Sequence, residues 1–361
     1  MSSETRSNNI RAPFLVHPAA RLALTLAIGI AGGFAASAIR MPLAWMLGPF
    51  IFCAIGCMAG LPLKAIPHGR EVGQIVVGLS VGMRFTGAVL AAAFALLPAM
   101  LASTLFIILV TFLAAFILMP LARVDRTTAF FATAAAGMAD MAAIAEHRGG
   151  NPSAVAVVHA VRVSLVVLTV PLLVYAFGEH GNVVHTPHAA RDNLLLLAAV
   201  LVAAYGAARL VGLTHFPNCW LIGGLLFGGL VGVTEFAVVS IPRLLMIASQ
   251  LAIGLSLGAR FERDLILRLP RVAFGAVVVT VFLILAAAAG AWLLSAWVGL
   301  PYSVGFLSVA PAAVTEMALT AQAMNVDAQI VTAFHVMRIA LVEASILLVY
   351  AVFRKLAPEG S

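Results

Sequence analysis

The chain has 361 residues, 63% of them hydrophobic and only 10% charged, with a mean hydropathy of +1.10. A water-soluble domain carries about a quarter charged residues, so this composition excludes a soluble globular protein, and a disordered chain with it. The net charge of +7 does not point to nucleic acid, because the basic residues stand singly at the ends of apolar runs and form no contiguous patch.

In chain order, Arg6, Arg11 and Arg21 precede an apolar run from Leu22 to Ile39 that ends in Ala36-Ser37-Ala38. That pattern is shared with secretory signals and their small-residue cleavage sites. Its counterpart, Leu197 to Thr214, lies in mid-chain, where no signal is cut, so the first run is read as a retained membrane helix. Further apolar stretches fall near 43–60, 72–83, 97–119, 127–146 and 152–177. A second set falls near 193–213, 218–235, 244–259, 271–298, 302–323 and 328–352. About 20 residues of helix cross the hydrocarbon core, and long unalternating runs in lipid are helices because only they satisfy their own backbone. The expected fold is an all-α membrane protein of about 10–12 transmembrane helices. It has a cytoplasmic tail (1–21), membrane repeat 1 (22–177), a linker (178–192), membrane repeat 2 (193–352) and a C-terminal tail (353–361). The stretches 72–83 and 244–259 are rich in glycine and polar residues, which predicts a short or broken third helix in each repeat.

The repeats are read from self-comparison. Gln74 matches Gln250, 176 positions later, and that register holds to Arg162 and Arg338. Within it Gly78-Leu79-Ser80, Gly82 and Arg84-Phe85 recur as Gly254-Leu255-Ser256, Gly258 and Arg260-Phe261, and Asp140-Met141 recurs as Glu316-Met317. One residue out of step, Pro42, Trp45 and Gly48 recur as Pro217, Trp220 and Gly223. The two copies are expected to superpose about a pseudo-two-fold axis. An odd number of crossings per copy makes them inverted, as in many transporters, and an even number makes them parallel. The Lys/Arg distribution slightly favours six crossings over five and excludes neither.

Ionisable residues inside apolar helices cost at least about 2.5–3.5 kcal/mol at a helix centre, so they mark function by default. His159 and Arg162 share one helical face roughly 15 Å into the segment that begins near Pro152. His335 and Arg338 repeat that face, Glu343 is added to it, and Asp140 and Glu316 occupy matching places in the preceding segments. These six residues, Asp140, His159, Arg162, Glu316, His335 and Arg338, are the candidate substrate- or ion-binding site. An arginine fork can grip a carboxylate or phosphate, and histidine can relay protons. The competing reading is structural: Asp140–Arg162 and Glu316–Arg338 as internal ion pairs that lock helices together. Gln74, Gly78, Ser80, Gly82, Gln250, Gly254, Ser256 and Gly258 are the broken-helix candidates, where small residues permit either close helix packing or an unwound, cavity-lining backbone. Pro42-x-x-Trp45-x-x-Gly48 and its copy read as structural.

No catalytic constellation and no metal site is expected. Cys53, Cys57 and Cys219 have neither zinc nor disulfide spacing, and His180, His185 and His188 read as a solvated loop.

The duplicated Pro-x-x-Trp-x-x-Gly, Gly-Leu-Ser-x-Gly-x-Arg-Phe and His-x-x-Arg elements resemble the AbrB family of bacterial membrane proteins over roughly 22–352. The resemblance implies a duplicated, multi-pass protein of the bacterial inner membrane, distinct in fold from the small soluble DNA-binding AbrB regulators. Its members are labelled regulators of gene expression or ammonia monooxygenases, and the family carries no settled catalytic residues. Oxidation at copper or iron needs clustered histidines or carboxylates, whereas each copy here has one membrane histidine beside an arginine that repels a metal. The expectation is a non-enzymatic secondary transporter or permease without cofactor, acting on a small organic anion. The alternatives are a membrane-embedded sensor regulating gene expression and, third, an enzyme. Expected partners are the lipid bilayer and the solute, with a homo-oligomer left open and no nucleic acid.

Overall fold

A computed structural model describes residues 17–177, 193–261 and 263–357. The expected linker 178–192, with its three histidines, and most of the N-terminal tail lie outside them. Every regular element among the described residues is helical. The first half contains α1 (Pro18–Ala38), α2 (Ala44–Met58), α3 (Gly69–Gly82), α4 (Gly87–Ala95), α5 (Leu97–Ala122), α6 (Arg126–Thr133), α7 (Met138–His147) and α8 (Pro152–Phe177). The second contains α9 (Leu194–Leu213), α10 (Cys219–Thr234), α11 (Arg243–Gly258), α12 (Arg263–Arg268), α13 (Pro270–Val298), α14 (Tyr302–Val309), α15 (Val314–Ala323) and α16 (Ala328–Leu356).

Seven segments among the described residues are long and apolar enough to cross a bilayer, or eight if α3 and α4 count as one bent span. This is a multi-pass, membrane-type protein. Leu194, Leu195, Val202, Leu213, Phe34, Trp292 and Leu348 are all more than 60% exposed, a surface that would aggregate in water and suits lipid.

The tally of crossings differs from the expected 10–12 for two reasons. The apolar helices α2 and α10 are only 15 and 16 residues long. The stretches 127–146 and 302–323, expected to be single helices, are each two short ones. The third helix of the first half bends, by 95° between α3 and α4, after Gly82 and not within the glycine motif, whereas that of the second half, α11, runs unbroken through its glycines.

That motif is a packing device. A Cβ on Gly78 would strike the Leu221 carbonyl oxygen and one on Gly82 the Leu225 carbonyl oxygen, so α3 lies backbone-to-backbone on α10. Gly254 meets the Met46 carbonyl oxygen in the same way, and a Cβ on Gly258 would stand 2.6 Å from the Phe50 carbonyl oxygen, so α11 lies on α2. Each half thus inserts its third helix against the second helix of the other. Without a hydrophobic force between helices in lipid, such close van der Waals approach supplies much of the association. The turns leading into α2 and α10 also match: their first caps, Leu43 and Asn218, are both left-handed, with φ of 51° and 54°. For the leucine this is strained, by about 1–2 kcal/mol.

The tryptophan motif is structural as well. Trp45 closes on Gly33 and Phe34 of α1, its ring 5.1 Å edge-on from Phe34, and α1 also touches α11 through Gly29 and Leu255. Cys53 and Cys57 are buried free thiols, and Cys219 is a half-buried one.

Three outcomes are expected. Gly78→Val or Gly254→Val should lower stability by about 1–3 kcal/mol or more through overpacking, read as a loss of monodisperse protein on heating in detergent. Gly229→Ala, whose Cβ meets nothing within 4 Å, should be neutral. Because α1 is packed into both halves, intact-mass analysis of membrane-extracted protein should find a chain that retains it; a mature start after Ala38 would contradict this.

Candidate functional site

The site is built on two interruptions of the backbone. α6 ends at Ala134 and α7 starts after Gly137; α14 ends at Ala310 and α15 starts after Ala313. Ala134 and Ala310 adopt the same extended conformation, with φ/ψ of −52°/138° and −51°/136°. In the second break the cause is plain: Pro311 disfavours helical geometry for the residue before it. The first break, Ala135-Ala136-Gly137, has no proline.

A broken helix leaves carbonyls at one end and amides at the other without partners, an expensive condition away from water. Arg162 Nη1 donates to the Thr133 and Ala134 carbonyls, at 2.9 Å each. Arg338 Nη1 and Nη2 donate to the Ala310 and Ala312 carbonyls at 2.8 and 2.7 Å. Each arginine therefore caps the C-terminal end of a broken helix, where carbonyl dipoles favour a cation. The histidines hold the same ends one step earlier: His159 Nε2 lies 3.0 Å from the Phe131 carbonyl and His335 Nε2 lies 2.8 Å from the Leu307 carbonyl. Arg162 Nη2 stands 3.0 Å from His159 Nδ1. An arginine can only donate, so Nδ1 accepts and the His159 proton sits on Nε2, leaving neither ring nitrogen available for a relay.

The amide ends at α7 and α15 have no side-chain cap. Both breaks line one cavity of about 280 Å³. Arg70, Arg162, Arg260 and Arg338 also line it, against the carboxylates of Asp140 and Glu343. Uncapped helix N-termini and an excess of arginine together make a site suited to an anion.

Of the six candidates read from sequence, Asp140, His159, Arg162 and Arg338 line this cavity. His335 is fully buried behind it. Glu316 is also fully buried, with its Oε1 4.0 Å from Arg70 Nη2. The ion pairs of the competing structural reading, Asp140–Arg162 and Glu316–Arg338, are not formed; Glu316 pairs with Arg70. Asp140 is exposed to the cavity, not enclosed in the protein.

The glycine-motif residues do not line the cavity, although two of them support it. Gln74 Nε2 donates to Thr315 Oγ1 (3.2 Å) in α15, and Ser80 Oγ accepts from Gln322 Nε2 (3.3 Å). α3 and α11 run as continuous helix through Gly78, Gly82, Gly254 and Gly258, so these glycines unwind no backbone. Gln250 and Ser256 share α11 with the second glycine pair. Arg70, Arg260 and the two breaks were not singled out from sequence. Pro311 inside an apolar run was the signal for one break, and Arg260, in the recurring Arg-Phe, was a charge one turn beyond the glycines.

The family model described as "Transition state regulatory protein AbrB" matches residues 45–354. The chain belongs to the AbrB family. It is 27% identical over 348 residues to "Uncharacterized protein YhjN" of Bacillus subtilis, covering 88% of this chain and 89% of that protein. It is 25% identical over 323 residues to "Putative regulator AbrB" of Escherichia coli, covering 88% and 90%. In this AbrB-family chain no group of three or more His, Cys, Asp or Glu side chains that could hold a metal occurs among the described residues.

The arginine caps make a prediction that separates them from ion pairs. Arg162→Leu strands carbonyls that cost about 1–3 kcal/mol each when left unpaired, so it should destabilise the protein. Adding Asp140→Asn should not rescue it. Double-mutant cycles on thermal stability should give coupling near zero for Asp140 with Arg162, and a measurable coupling, on the order of 0.5–3 kcal/mol, for Arg70 with Glu316.

Proposed function

We propose that this protein is a secondary transporter of a small organic anion, working in the bacterial inner membrane. The observation that carries this reading is that the two helix breaks open onto one cavity, which pairs uncapped helix N-termini with four arginines. Discontinuous helices that meet within the membrane are a recurring way to bind solutes and coupling ions, since their free amides attract anions and their free carbonyls attract cations. Here the carbonyls are taken by Arg162 and Arg338 and the amides are not, which biases the site toward negative charge. A cavity of about 280 Å³ accommodates a small carboxylate. Residues of both halves line the cavity, as at the solute sites of transporters built from two repeats.

A second reading is favoured by the name of the Escherichia coli relative, a regulator. In that reading the cavity binds its solute as a signal and no net flux follows.

The test is uptake of radiolabelled acetate, benzoate, succinate and citrate by proteoliposomes holding the full chain. At least one should accumulate. Arg260→Gln, which leaves both carbonyl caps intact, should weaken its apparent affinity roughly tenfold to a hundredfold, as loss of a hydrogen bond to a charged group of about 1.5–3 kcal/mol requires. Saturable binding without accumulation would favour the sensor, and the absence of both would remove the small-anion reading.

A further inference from the structure

The acids at positions 140 and 316 match in sequence and both stand in the first turn of a helix that follows a break. Their surroundings differ. Glu316 is fully buried and faces a cation, Arg70. Asp140 faces another acid. Glu343 of α16 stands within electrostatic reach of both the Gly137 backbone N–H and Asp140, and Asp140 Oδ2 stands over the same glycine, 2.5 Å from where a Cβ would lie. The two carboxylates therefore converge on Gly137, at the amide end of α7. Glu343 Oε1 is buried without a hydrogen-bond partner, whereas Asp140 is exposed to the cavity.

Two charges that flank the matched register fall at this point. The position 176 residues before Glu343 is Val167, and the position 176 after Arg70 is Met246. One acid has gained a fixed counter-charge and the other a second acid.

We propose that Asp140 and Glu343 form a shared proton-binding site that couples proton movement to the anion in the adjacent cavity. The proposal rests on the transport reading for its coupling, though not for its proton. Two neighbouring carboxylates cannot both ionise without repulsion, and one proton held between them removes it and gives Glu343 Oε1 a partner. Access is through Asp140, which is open to the cavity. The other charged or titratable groups facing the pair are Arg70 on α3, His159 and Arg162 on α8, Arg260 after α11, Glu316 on α15 and Arg338 on α16. The arginines favour the ionised pair while the cavity is empty. An anion among them cancels that influence, so anion binding promotes proton binding, and by linkage the proton promotes anion binding to the same degree. The proton is taken from water on one side of the membrane and returned to water on the other, without covalent change.

The test needs no solute. The full chain in lipid nanodiscs is titrated by pH while infrared difference spectra follow the protonated-carboxyl band. The wild type should lose the band in two steps separated in pH, the behaviour of a coupled pair. Asp140→Asn and Glu343→Gln should each leave the surviving acid titrating in one step, and Glu316→Gln should preserve both. Glu343→Gln keeps the size of the side chain and a carbonyl oxygen near Gly137, so the variant is expected to fold, which circular dichroism checks. A wild type whose two acids titrate independently, unaffected by removal of the other, would overturn the pair. Coupling is read with a pH dye inside proteoliposomes given whichever of the four carboxylates accumulates. Anion-driven internal acidification in the wild type, lost in Glu343→Gln, is expected. Anion uptake that moves no protons would overturn the coupling alone, whereas failure of all four solutes would count against transport and leave the infrared result standing.

Discussion

The architecture depends on how the chain meets the backbone's demand for hydrogen bonds at two places where its helices stop inside an apolar body. Water normally satisfies a helix end, and hydrocarbon cannot. Here the satisfaction comes from arginine. Its planar fork reaches Thr133 and Ala134 in one break, and Ala310 and Ala312 in the other, a span that the single ammonium of lysine matches poorly. Burying a guanidinium is costly, and each is 95% or more buried, so the cost is offset only because several charge-assisted bonds form at once. The histidine three residues earlier extends the same ladder by one carbonyl. His-x-x-Arg is thus one tool, a strip along α8 or α16 that holds the stopped end of a short helix.

The glycine crossings make those breaks useful. Packing α3 on α10 and α11 on α2 locks each half into the other, and Gln74 and Ser80 carry that lock to α15 through Thr315 and Gln322. The result is one cavity facing both breaks. Since the carbonyl ends are already occupied, the cavity is left with the amide ends and four arginines, set against the two carboxylates of Asp140 and Glu343. The polarity of the site follows from which half of each broken helix has been capped, more than from any one binding residue.

Much of this was legible in the sequence. The membrane class followed from composition, and the matched His159/Arg162 and His335/Arg338 faces were visible as charges that an apolar helix does not carry without cause. What could not be read was their partner. Acid and arginine at matching positions invite pairing by charge, yet a guanidinium bonds equally well to a carbonyl, and backbone carbonyls leave no mark in a sequence. The breaks were hidden for a related reason. The stretches 127–146 and 302–323 are apolar on both sides of their breaks, and hydropathy does not distinguish a continuous helix from two halves. Pro311 was a local signal for one break, but Ala135-Ala136-Gly137 offers only a glycine. Conversely, the glycine motif suggested unwinding because glycine tolerates it, whereas a Cβ-free surface serves continuous helices in contact just as well.

Comparing positions 176 apart also separates scaffold from specialised chemistry. The carbonyl caps, the glycine crossings and the left-handed turns before α2 and α10 occur in both halves. Arg70 and Glu343 occur once, opposite Met246 and Val167. Arg70 joins α3 to α15 through Glu316, Glu343 stands at the amide end of α7, and each places a charge where an apolar residue serves the other half. A charge retained in a lipid-embedded body must be offset by the groups it meets there. Both fall beside the matched acids and give them opposite partners, which makes the two otherwise similar ends of the cavity electrostatically unlike.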